Sequence, residues 1–112
     1  MGLFSRLRGR RRRGTRLATA STERGKASAY LEQFVRARTG VEGFIEPATT
    51  VTPTTLLLVA EDGEWTRRAV PDAATALGFG RKLSIPVYDV NLSGYPQRMR
   101  DYNARKKAEG SL

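Results

Sequence analysis

The feature that most constrains this chain is Thr54-Thr55-Leu56-Leu57-Leu58-Val59-Ala60, then Glu61-Asp62-Gly63-Glu64, then Trp65-Thr66-Arg67-Arg68-Ala69-Val70. Two β-prone runs joined through Asp-Gly form a hairpin signature, because glycine takes positive φ freely and aspartate tolerates it. The first run is apolar without alternation, while its neighbours are interrupted by charge. That contrast marks it as the central strand of a sheet.

The flanking segments supply the other elements. From about Thr22 to Thr39, Ala27, Tyr30, Leu31, Phe34 and Val35 fall at helical spacing. Ser21 or Thr22 suits the cap and Gly40 the end. Val41–Glu46 reads as a short edge strand stopped by Pro47, and Ala48–Thr55, with its five threonines, as an exposed connection. Asp72 opens a second helix with Ala73, Ala76, Leu77, Gly80 and Leu83 along one side. Ser84–Leu92 reads as a strand, and Pro96 begins a final helix running to about Lys107. The middle helix is a crossover, so the strand after it should run parallel to Trp65–Val70. The expected sheet order is Trp65–Val70, Leu56–Ala60, Ile85–Val90. The fold class is therefore α+β, a three- to four-stranded mixed sheet with three helices, spanning residues 21–108 between an arginine-rich tail (1–20) and a short end (109–112).

The charge of +9 is distributed unevenly over the 112 residues. The first 17 carry Arg6, Arg8, Arg10, Arg11, Arg12, Arg13 and Arg16 without one acid, or +7. Residues 18–96 hold eight bases and nine acids, or −1, and residues 97–112 five bases and two acids, or +3. Like charges crowded together stay solvated unless a polyanion neutralises them, so the tail is expected to be disordered in isolation. Duplex and structured nucleic acids concentrate phosphate, and arginine meets phosphate with a bidentate donor fork. The competing partner is an anionic membrane surface, because Leu3, Phe4 and Leu7 lie beside the first arginines. No apolar stretch of about 7–15 residues follows the arginines, as a secretory signal requires, so the expectation is a cytoplasmic protein.

The final helix mixes bases with aromatics. Tyr95, Met99 and Tyr102 share a face and are expected to be buried, with Asp101 pairing to Arg105 at i+4. Arg98, Arg100, Arg105, Lys106 and Lys107 supply a second candidate phosphate contact, with a tyrosine offered for base stacking. Against this stands the plainer reading of a packed tyrosine stripe under a solvated charged face. Arg67 and Arg68 are adjacent in a strand and must point to opposite faces, so they do not make one patch, and Trp65 reads as sheet packing.

The chain has no Cys and no His. That excludes a disulfide framework, thiol or imidazole catalysis and the usual N/S zinc sites. Gly78-Phe79-Gly80 lies late in a helix and lacks the third glycine of a dinucleotide loop, so it reads as close helix–sheet approach. For acid–base chemistry, Asp89 and Asp101 are the carboxylates nearest an expected cleft. No catalytic residue, metal ligand or cofactor is assigned. The expectation is a non-enzymatic module that binds nucleic acid, RNA favoured, without sequence specificity. A membrane-associated module and a small enzyme or cofactor binder are the alternatives, and the neutral body leaves room for a protein partner.

Glu61-Asp62-Gly63-Glu64-Trp65-Thr66-Arg67-Arg68, Ile85-Pro86-Val87-Tyr88-Asp89-Val90 and Gly94-Tyr95-Pro96-Gln97-Arg98-Met99-Arg100-Asp101-Tyr102-Asn103 resemble segments of small uncharacterised proteins of high-GC Gram-positive bacteria. The resemblance covers about residues 30–105 and implies a generic oxidoreductase label. It brings no site residue, and no redox cysteine or dinucleotide fingerprint accompanies it.

Overall fold

The computed structural model describes residues 25–110. Helix α1 covers 25–37, followed by strand β1 (Glu42–Glu46), β2 (Thr55–Val59), β3 (Trp65–Ala69), helix α2 (Ala73–Leu83), β4 (Val87–Asp89), the one-turn α3 (Val90–Ser93) and α4 (Gln97–Ala108). The sheet has four strands in the order β3-β2-β1-β4. β1–β2 and β2–β3 are antiparallel, and β1–β4 is parallel. The architecture is a small α+β fold with a mixed sheet, as the element pattern implies.

The strand order departs from the expected one. β1 is not an edge strand. It separates β2 from β4, so the strand after the crossover runs parallel to β3 but pairs with β1. The reason lies in β1 itself: Gly43, Phe44 and Ile45 are all buried, a burial on both faces that an exposed edge does not provide. Gly43 also lets Val87 and Leu56 approach, since a Cβ there would lie 3.0 Å from Val87 Cγ2 and 3.3 Å from Leu56 Cδ1. The last strand is shorter than expected. Asp89 accepts from the Asn91 backbone N–H at 2.8 Å, and the chain turns into α3 at Val90.

Each face of the sheet has its own core. Leu56 and Leu58 point towards α1 and α2, packing with Leu31, Phe34, Ile45 and Ala76. Leu57 and Val59 point to the other face and pack with Phe44 and Met99 of α4. All four β2 side chains have 0% exposure, each contributing roughly 1.5–3 kcal/mol by leaving water. The unbroken apolar run is thus the middle layer between helices on both sides.

The turns follow their residues. Gly63 sits at φ +93° in the hairpin. Asp72 caps α2 by accepting from Thr75 N–H at 2.8 Å. Gly80 brings α2 against Val87, as the glycine spacing predicts. Two expectations for helix faces and one for a helix start change. Leu77 is 41% exposed, Tyr30 half-exposed, and Pro96 occupies the N-cap of α4 instead of its first turn. Tyr30 lies outside the core, where Arg68 stacks on its ring at 3.8 Å.

Candidate functional site

Strand alternation sorts the polar residues of the sheet. The register aligns Glu46 with Thr55 and Arg67 with Leu57, which puts Glu46, Thr55, Trp65 and Arg67 on the α4 face. Arg68 and Thr66 face α1, where Thr66 Oγ1 lies 3.4 Å from the Tyr30 hydroxyl. The two neighbouring arginines therefore never meet, as period-2 geometry requires.

Helix α4 covers only part of its face. Met99 is buried over Phe44, Leu57 and Val59, and Asn103 Oδ1 accepts from Trp65 Nε1 at 2.7 Å. Beyond the helix, the end of the sheet opens into a groove of about 540 Å³ whose lining includes Glu46, Thr49, Thr52, Arg67, Asn91 and Tyr95. A second depression of about 230 Å³ adjoins it, sharing Arg67 and Tyr95 and adding Met99, Arg100 and Asn103.

At the junction stands Glu46. Its carboxylate accepts from Thr55 Oγ1 (2.8 Å), Arg67 Nε and Nη2 (both 3.0 Å) and Tyr95 Oη (2.6 Å). Burial pushes the Glu46 carboxyl up, but the Tyr95 and Thr55 hydroxyls and Arg67 outweigh it and hold it below the ordinary glutamate range. The same contact stabilises the neutral phenol, so Tyr95 titrates above its ordinary value. An ionised carboxylate with four donors is a clamp, not a general base. It fixes Arg67, whose guanidinium lies over the Trp65 ring, 5.0 Å from its centre.

The candidate phosphate contacts divide into three groups. Arg6, Arg8, Arg10, Arg11, Arg12, Arg13 and Arg16 lie outside the described residues. Arg98 is committed inside the fold. It donates to the Ala60 and Val59 carbonyls at 2.9 and 3.2 Å and pairs with Glu42 at 2.7 Å. Arg105 donates to the Asp62 carbonyl at 2.9 Å, and Lys106 pairs with Glu109 at 3.4 Å, with their charged groups 5.8 and 5.5 Å from the centre of the Tyr102 ring. Arg100 and Lys107 are exposed, and their side chains take no hydrogen bond or ion pair among the described residues. Seven positions apart, they lie on one helix face about 10.5 Å from each other along the axis.

No protein-family model, curated protein or solved structure matches this chain. Function is therefore read from the groove and the charges alone.

The tyrosine stripe is only partly buried. Met99 is inside, Tyr102 half-buried, and Tyr95 40% exposed on the groove. Asp101 does not pair with Arg105; it accepts from Gln97 Nε2 at 3.0 Å, while Arg105 turns to the hairpin carbonyl. Asp89 is a helix cap. Neither carboxylate meets another titratable side chain in any described hydrogen bond or ion pair. Among the described residues no three His, Cys, Asp or Glu side chains group as a metal site would. No described helix is long and apolar enough to cross a membrane. The Glu46–Arg67–Tyr95 cluster was not readable in advance. Its members are 21 and 28 positions apart, and the only local hint is Arg67 two residues from Trp65, on the same strand face.

Proposed function

We propose that the chain is a non-enzymatic module that binds nucleic acid, RNA before DNA, without base-sequence specificity. The arginines Arg6, Arg8, Arg10, Arg11, Arg12, Arg13 and Arg16 supply most of the phosphate contacts. Arg100, Lys107 and the outward-facing Arg105 and Lys106 extend them onto the body. The observation that carries this reading is the separation of charge: seven arginines with no acid precede a body whose own residues 18–96 sum to −1. Charge concentrated in an acid-free segment attracts a polyanion far more than the same charge spread among acids. The chemistry at hand also favours binding over catalysis, since Glu46, a carboxylate in the groove lining, is spent on four internal donors.

Filter binding of a structured RNA at about 50 and 200 mM salt tests the proposal. Affinity is expected to fall by roughly 10³-fold or more, as six to ten released counterions require. A flat response overturns it. If anionic vesicles pellet the protein and the double substitution Leu3→Asp, Phe4→Asp abolishes pelleting while RNA fails to bind, the anionic partner is a lipid surface.

A further inference from the structure

Two surfaces meet at Arg67 and Tyr95 without being explained by the packing of the body. The larger depression, about 540 Å³, is within the roughly 300–1,000 Å³ of sites that enclose small organic groups. Its floor holds Glu46, whose four hydrogen bonds are all to this chain's own donors. Arg67 lines the same space and neutralises Glu46, so the pair leaves the depression without net charge, which suits a neutral planar group. Tyr95 offers part of its ring, at 40% exposure, and the Thr49 and Asn91 side chains line the same space. The smaller depression shares Arg67 and Tyr95 but adds a second cation and has no carboxylate in its lining. Arg100 lines it without an internal partner, and Arg67, 43% exposed, spends Nε and Nη2 on Glu46 but keeps Nη1 for another acceptor. Asn103 gives its Oδ1 to Trp65 and keeps its amide donors. A base-sized depression without net charge thus adjoins, across the shared Arg67 and Tyr95, one that holds unpaired cationic donors.

We infer that these adjoining depressions seat an unpaired nucleic-acid strand, one base lying against Tyr95 in the larger depression and the adjoining phosphates on Arg67 and Arg100. The inference rests on the nucleic-acid reading above and adds the strand form that the folded body selects. In a duplex the base faces are stacked on their neighbours and cannot enter such a depression; in a single strand they are free to do so. The arginine segment is indifferent to that difference, because it contacts only phosphate. Glu46 acts as a positioning residue, holding Arg67 and Tyr95 in one arrangement before any strand arrives.

The test uses the full chain with labelled oligouridylate of about a dozen nucleotides and a duplex of the same length, read by anisotropy and by emission of Trp65, the only tryptophan. Tyr95→Ala is expected to weaken single-strand binding about 10-fold and duplex binding less than about 2-fold, whereas Tyr95→Phe, which keeps the ring, stays near the native affinity. Arg100→Glu is expected to weaken single-strand binding more than Arg81→Glu, which changes net charge equally on the α2 side. Saturable change of Trp65 emission with the single strand accompanies binding, since Arg67 and Asn103 both touch that ring. Equal losses for the two polymers with Tyr95→Ala, or equal effects of Arg100→Glu and Arg81→Glu, overturn the groove and leave the arginine segment standing. Failure of the native chain to bind either polymer overturns both. Should Tyr95→Ala prove unfolded by thermal melting, the Arg100→Glu and Arg81→Glu comparison decides.

Discussion

Glu46 shows how one residue can take a role that its neighbours in sequence do not announce. At the end of β1 it joins three strands and the turn before α4 through Thr55, Arg67 and Tyr95. Its folded-state pKa lies below the unfolded one, so its stabilising contribution is present above the ordinary glutamate range and is lost as pH falls through the depressed value. Glu64 behaves likewise, held low by the Arg38 guanidinium that donates to both its oxygens at 2.9 and 2.8 Å. Stability should therefore drop as pH falls from about 4.3 downward. In Glu46→Gln, thermal melts recorded at intervals across that window should give a shallower acid slope than in the native chain. An unchanged slope shows that the clamp is not a source of acid sensitivity. Nothing in the order of residues marks Glu46 for this duty; its partners come from the β1–β2 register, which a nine-residue separation from Thr55 does not reveal.

Among the elements, close approaches made by glycine decide where helices sit. A Cβ on Gly80 would collide with Val87 Cγ2 and come within 3.1 Å of the Ile85 carbonyl. Gly80→Ala is expected to destabilise by about 1–3 kcal/mol, lowering Tm by roughly 4–8 °C for each kcal/mol. Gly63 is more constrained, because its φ of +93° is left-handed and its Cβ would strike the Arg98 carbonyl and lie 2.8 Å from Tyr102 Cβ. Gly63→Ala should therefore cost more than Gly80→Ala; denaturant midpoints that rank them the other way contradict this placement of α4 against the hairpin. The hairpin, the Asp72 cap and the Gly80 approach were all legible, because each depends on a few adjacent residues. Strand order was not. The crossover rule fixes the direction of β4 but not how many strands it passes over, and the Phe44-Ile45 pair was the one local sign that β1 is covered on both faces. The exposed β4 edge is kept to three residues and ends in an Asp89 cap, which limits pairing with other chains.

For the whole molecule, the basic character lies in a segment and a helix face, not in the sheet. Inside the fold, cations are matched: Arg38 with Glu64, Arg67 with Glu46, Arg98 with Glu42. Arg98 thus leaves the set of candidate phosphate contacts, while Arg100 and Lys107 stay in it. The total charge and its uneven placement could be counted from the sequence. Which α4 cations are spent internally could not, since that depends on where the β2 carbonyls end.

Counterion release tests this partition most directly. The slope of log affinity against log salt for a duplex RNA should be compared between the native chain and a full-length variant with all seven N-terminal arginines (Arg6, Arg8, Arg10, Arg11, Arg12, Arg13 and Arg16) changed to Gln. At about 0.9 per phosphate neutralised, the native slope is expected to be steeper by about six. Equal slopes would contradict the account, because the body, not the arginine segment, would then carry the binding.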